Sequence, residues 1–187
     1  MMDATAKEAA VAQFLHEYPQ IERAACDHPA LLGCADVDWS QIPGCPAGIP
    51  VLLRGLLDAV AGPEALRVLG NVLMNSIFHA GAAMPAALPF LIGLAGVPNT
   101  TVRPGLVELL VVAAEVSSPV DSGDERQVLL LGSDCDHPER ERVRAAFAAH
   151  ASALSALLED EALPDGLISA DDRECLLKAV EPQRHPS

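Results

Sequence analysis

Ile49 to Ala61 reads IPVLLRGLLDAVA, with Val51, Leu52, Leu56, Leu57 and Val60 on one stripe and Arg54 and Asp58 on the other. That is the period of an amphipathic helix, in which apolar side chains return every three or four residues. Gly62-Pro63 breaks it, and Pro63 can open the next helix, which the pattern carries to about His79. Gly81 ends that helix, and Met84 to Ala95 makes another, opening around Pro85 and holding Pro89 in or near its first turn. After Pro98-Asn99, Thr101 to Val116 continues the series, with Leu106, Leu109, Leu110 and Ala113 on the side to be buried. Helices joined in this way by Gly/Pro turns form antiparallel pairs. Stacked side by side, such pairs build an α-solenoid in which each unit buries its face only against its neighbours. The expected fold class is all-α, an α-solenoid of stacked antiparallel helix pairs.

The flanks carry the same helical character. Ala4 to His16 predicts a first helix with Ala9, Ala12, Phe14 and Leu15 on its apolar side, and Pro19 to Cys26 a short second one. Asp27 to Gly48 is irregular, broken by Pro and Gly, and holds the only Trp in Asp36-Val37-Asp38-Trp39-Ser40. Ser117 to Asp124 is a polar turn region. Glu125 to Leu131 reads as helix by the length of its neighbours and as strand by its Val-Leu-Leu-Leu run. Asp136 is a natural N-cap for a long helix to about Asp160, and Ser169 caps a last helix from Ala170 to Val180. Residues 1–180 are expected to form a single domain, with 181–187 as a frayed tail.

Composition narrows the function classes. Half of the 187 residues are apolar but only 3% are aromatic, which favours closely packed helices of Ala, Leu and Val over a β-sandwich. Twenty-six acidic residues against twelve basic ones give a net charge of −14. This argues against nucleic acid or an anionic membrane as partner, since both need a basic surface, and for a basic macromolecule instead. Val68 to Val102 carries no charge beyond His79, yet its Pro and Gly residues interrupt it too often for a membrane span. The N-terminus lacks the apolar core of a signal peptide. Five scattered Cys in a chain able to build a core without staples suit reduced thiols, so a cytoplasmic location is expected.

Two stretches carry a family resemblance. One is Asp38-Trp39-Ser40 followed by Gly48-Ile49-Pro50-Val51-Leu52-Leu53-Arg54-Gly55-Leu56. The other is Ile77-Phe78-His79-Ala80-Gly81 followed by Ala86-Ala87-Leu88-Pro89-Phe90-Leu91-Ile92. In that order they resemble an actinobacterial family of HEAT-like repeat proteins over about Asp36 to Val116. The family pattern has an Asp-Trp pair, a His-Gln-Gly-Thr turn, a Tyr-Pro-Ala step and a Val-Pro-Phe-Leu helix start. Ala80, Ala82 and Met84 stand here where the family has Gln, Thr and Tyr, so a chemistry carried by that turn is not expected. The resemblance implies a HEAT-like protein-interaction scaffold, with immunity and accessory proteins of bacterial toxin systems among its relatives.

The remaining motifs point to binding more than to chemistry. Cys26-Asp27-His28-Pro29 recurs as Cys135-Asp136-His137-Pro138, and Cys, Asp and His are all metal ligands. An Asp cap followed by Pro is also an ordinary helix start, and without C-x-x-C or H-x-x-x-H spacing no metal and no cofactor are assigned. His79 sits at a predicted helix end, and Asn71 and Asn75, on the same helix face, would line a polar groove with it. Nothing nominates a catalytic nucleophile, so a non-enzymatic role is expected. The candidate partner-binding set is Asp36, Asp38, Trp39, Asn75, His79, Glu108, Glu115, Asp121, Asp124 and Glu125. Its expected partner is a protein, most specifically a basic toxin domain occluded by the acidic surface. The alternatives are a small-molecule- or metal-binding accessory protein using the His79 groove, and a divergent enzyme on the same scaffold.

Overall fold

The structure, a computed structural model, describes residues 3–23, 27–98, 100–161, 163 and 166–181. Its elements follow from local chemistry. Helix α1 (Ala4–Glu17) starts where the Asp3 carboxylate accepts the Ala6 N–H at 2.8 Å and stops before Pro19, which opens α2 (Pro19–Arg23). The buried side of α1 is Lys7, Val11 and Phe14, with Ala9 and Ala12 facing out. That differs from the stripe expected from the small apolar residues, because the long side chains decide which face is covered. Helix α2 ends at Arg23, and Cys26 lies outside the described residues.

The irregular region resolves into three 3-10 turns, Pro29–Leu31, Cys34–Asp36 and Trp39–Gln41. The Trp39 indole N–H donates to the Cys34 carbonyl at 3.0 Å, and its ring packs on Phe90 with centroids 6.2 Å apart. Helix α3 (Ile49–Gly55) is shorter than its apolar stripe, since the chain turns from Leu56 to Ala61, and the Asp58 carboxylate accepts the N–H groups of Val60 and Ala61 at 2.8 Å each. Val60 is consequently exposed.

Helix α4 (Gly62–Leu73) also ends earlier than its apolar pattern predicts. After Leu73 the chain forms an antiparallel hairpin, β1 (Met74–Ser76) and β2 (His79–Ala80), around the turn residues Ile77 and Phe78. The expected helix to His79 is therefore corrected: Asn75 and His79 sit on opposite strands of a hairpin, while Asn71 stays on α4. Apolar run length alone does not separate the two conformations, and the long-range contacts of Asn75 with Lys7 and of His79 with the Leu131 carbonyl tip the balance.

Helices α5 (Met84–Ala95) and α6 (Arg103–Val116) match their predicted positions closely, α6 starting two residues later. The run 125–131 is a helix, α7 (Glu125–Leu131), because the Asp124 carboxylate accepts the Arg126 and Gln127 N–H groups at 3.0 and 3.1 Å. The long final segment divides at His150 into α8 (Pro138–Ala149) and α9 (Ala151–Leu158). Its N-cap is His137 and not Asp136. In the first copy of the repeated tetrapeptide the cap is likewise His28, whose Nδ1 accepts the Ala30 N–H at 3.2 Å. Helix α10 (Ala170–Val180) has the expected Ser169 cap, completed by Asp172 into a reciprocal capping box.

The described residues are predominantly helical, and the core centres on α5. No side chain of α5 is charged, none of its residues is exposed, and α6, α8, α9 and the first 3-10 turn all pack against it. At Gly93 the absence of a side chain lets that turn approach, since a Cβ there would lie 3.3 Å from the Cβ of Ala30. Helices α1 and α3 pack on α4, and α10 covers α6 and α8. Arg103, at the start of α6, donates to the last α5 carbonyl (Ala95, 2.8 Å) and pairs with Asp160 just beyond α9, so one buried cation ties three helix ends together. Among the described residues no helix is long and apolar enough to cross a membrane.

Replacing the fully buried Leu88 by Ala is expected to cost about 3 kcal/mol, read as a lower urea midpoint. Leu129→Ala, at a side chain 89% exposed, is expected to stay within about 0.5 kcal/mol of the parent chain.

Candidate functional site

His79 is built into the hairpin. The Ser76 hydroxyl accepts the Phe78 N–H at 3.2 Å and meets His79 Nδ1 at 2.8 Å, while His79 Nε2 lies 3.0 Å from the Leu131 carbonyl at the end of α7. A carbonyl only accepts, so Nε2 carries the proton and Nδ1 receives the serine's. Both ring nitrogens are thus engaged, and the ring face stacks on His137 with centroids 4.1 Å apart. His137 Nδ1 is in turn 3.0 Å from a Glu139 carboxylate oxygen.

Asn75 points elsewhere. Its side-chain oxygen accepts from the buried Lys7 ammonium at 3.1 Å, linking the hairpin to α1. Burial pushes the Lys7 pKa below its ordinary value, partly offset by nearby Cys45. Asn75 and His79 therefore brace the hairpin from two directions and do not form one polar groove.

The end of α7 is held by a second device. Arg140, only 1% exposed, donates to the carbonyls of Leu131 and Gly132 (3.1 Å for the latter) and to the Asp134 carboxylate at 3.1 Å. These are carbonyls that a helix C-terminus leaves unpaired. Gly132, at φ 70°, ends the helix in a conformation that suits glycine, and a Cβ there would lie 2.5 Å from His137 Nε2. Arg144 secures the neighbouring loop by donating to the Ser117 carbonyl and, at 3.4 Å, to Asp134.

The acidic candidates separate into three places. Asp36 and Asp38 are exposed on the 3-10 segment, with Asp38 accepting from the Ser40 hydroxyl at 2.6 Å. Trp39 between them and Ser40 is buried against α5 and belongs to the core, not the surface. Asp121, Asp124 and Glu125 are exposed around the start of α7, where Asp121 accepts the Gly123 N–H at 2.8 Å and Asp124 caps the helix.

Glu108 and Glu115 are exposed along α6 and line a groove of about 390 Å³ shared with Leu167 and Asp172. A second groove, about 600 Å³, lies between α6 and α10 and is bordered by Asp171, Glu174 and Glu181. Its cations are already engaged: Lys178 pairs with Glu174 at 2.6 Å, and Arg144 makes the contacts above. The α10 acids were outside the sequence-derived set. Their signal is visible in the sequence as Asp171-Asp172 behind Ser169, where acids in a helix's first turn are accounted for as solvated groups that complement its dipole.

Among the described residues no group of three or more His, Cys, Asp or Glu is gathered for a metal ion. The Cys45 thiol is pushed up to about 11, chiefly by burial, with Lys7 opposing the shift and Glu8 adding to it. Comparison of the chain with protein-family models, with curated proteins and with solved structures returns no match.

Arg140→Met is expected to cost about 3 kcal/mol, since it removes three hydrogen bonds of a buried cation and leaves the Leu131 carbonyl to His79 and Asp134 to Arg144 alone, and to accelerate amide hydrogen exchange across 125–131 before the rest of the chain. With its thiol near 11, Cys45 at pH 8 is only about one part in a thousand thiolate, so mass-spectrometric mapping of alkylation is expected to show the exposed Cys135 labelled well before it.

Proposed function

We propose that this chain is a non-enzymatic protein-binding module whose acidic α6–α10 face docks a basic partner. The observation that carries the reading is the convergence of Glu108, Glu115 and Asp172 on one groove, with Asp171, Glu174 and Glu181 bordering the next. An array of carboxylates on rigid helices raises the local concentration of a cationic partner and speeds its encounter. The helix pairs α3–α4 and α5–α6 are, in this reading, HEAT-like repeat units, and α8 and α10 close the stack at one end. Its most specific form is an immunity-type protein that covers the substrate cleft of a basic toxin domain, acting in the cytoplasm. A small-molecule role at His79 has less support, because both ring nitrogens already have partners within the chain.

The test is charge reversal at exposed positions. A partner captured at low salt is expected to bind the E108K/E115K/D171K variant at least about tenfold more weakly, with a shallower salt dependence than the parent. Unchanged affinity and unchanged salt dependence would reject the acidic face as the docking surface.

A further inference from the structure

A third concavity, about 270 Å³, adjoins the acidic face, and its apolar side chains stand beside the polar Glu115, Ser118, Gln127 and Arg140. Ile77 and Phe78 enter its lining from the hairpin tip, Val116 from the end of α6, Pro119 from the segment after it, and Leu131 from α7. Glu115 lines both this groove and the acidic one beside it.

Two departures from ordinary surface chemistry meet here. Two-residue hairpin turns usually take Gly, Asn or Asp, yet this one presents Ile77, 79% exposed, and Phe78. Helix α7 buries none of its residues although it carries Val-Leu-Leu-Leu, and Leu130 is 59% exposed. Gln127 and Leu131 of this helix line the groove, and Leu130, three positions after Gln127, stands exposed at its edge. Scattered apolar residues need no explanation, but a hairpin tip and a helix presenting theirs toward one groove do.

Charge decides the occupant. Glu115 is in the groove, and Asp121, Asp124 and Glu125 are exposed beside α7, whereas Arg140, the cation in the lining, is engaged by Leu131, Gly132 and Asp134. A second copy of a chain with net charge −14 would bring these acids against one another, and an anionic membrane would be repelled by the same acids. We propose that this groove binds an amphipathic, lysine- or arginine-bearing segment of the partner protein, taking its apolar side chains between the hairpin tip and α7 while the acidic rim pairs with its cations. This rests on the α6–α10 reading and adds the apolar anchor that a charged face lacks, since tight interfaces concentrate their energy in a few buried apolar and aromatic contacts.

Two fluorescein-labelled synthetic peptides of equal length and charge serve as probes. One has Leu at helical i, i+3, i+4 and i+7 positions with Lys elsewhere, and in the other each Leu is Ser. By fluorescence anisotropy the Leu peptide is expected to bind the full chain at least about tenfold tighter. The I77S/L130S variant, altered only at exposed side chains, is expected to erase that margin, and E108K/D171K, which leaves the groove's Glu115 in place, to weaken both peptides. Equal binding of the two peptides, or a margin that survives I77S/L130S, overturns the groove while leaving the acidic face standing. A margin lost in I77S/L130S with neither peptide weakened by E108K/D171K, which keeps the groove's own Glu115, upholds the groove and rejects the acidic face. Concentration-dependent dimerisation abolished by I77S/L130S in sedimentation, or binding of phosphatidylcholine vesicles abolished by the same variant, assigns the groove to another occupant and overturns the proposal.

Discussion

A twelve-residue helix without a charged side chain, α5, has to be covered, and the arrangement of the other helices follows from covering it. Exposed to water it would lose the transfer free energy of Leu88, Phe90, Leu91, Ile92 and Leu94 together, which no surface interaction in this chain replaces. Helix α6 lies along one side, α8 and α9 along others, and the 3-10 turn carrying Ala30 closes over Gly93. The polar cost of this packing is met at the helix ends. Arg103 takes the last carbonyl of α5, and Arg140 takes the carbonyls of α7, so the buried guanidinium groups act as caps.

The same logic explains which features were readable from the chain alone. Helix α5 and the body of α6 were legible because their apolar runs are bounded by Pro and Gly at both ends, and α10 because Ser169 and Asp172 complete a local capping motif. Helix α4 was overextended because no Pro or Gly punctuates Met74 to Ala80 before Gly81. What ends it is tertiary: the Lys7 ammonium draws Asn75 toward α1 and the Leu131 carbonyl draws His79 toward α7. Contacts across such sequence separations leave no local signal. The duplicated Cys-Asp-His-Pro string shows a similar limit, since both copies mark helix starts but His and not Asp is the cap residue, with its imidazole accepting a backbone N–H only at His28.

For the site, the sequence singles out the acids of α6 but does not show which residues stand beside them. Glu108 and Glu115 recur on one side of their helix, and the fold places Asp171 and Asp172 of α10 beside the same grooves, whereas Asp36 and Asp38 stand apart on the 3-10 segment. His79 looked chemical because an uncharged stretch surrounded it. In the structure it is a bracket between hairpin and α7, tying the strand that follows Ile77 and Phe78 to the Leu131 carbonyl. The surface is thus partitioned: polar groups under the hairpin are satisfied internally, and apolar and acidic groups facing outward are left available.

The central claim is that one continuous surface, from the acidic side of α6 and α10 to the hairpin tip and α7, receives a basic protein. Hydrogen–deuterium exchange of the chain alone and in complex with the partner it captures at low salt tests this most directly. The account predicts protection confined to 77–80, 108–131 and 170–180, with the 3-10 segment 34–41 unchanged. Protection centred on 34–41, or absent from both α7 and α10, would contradict it.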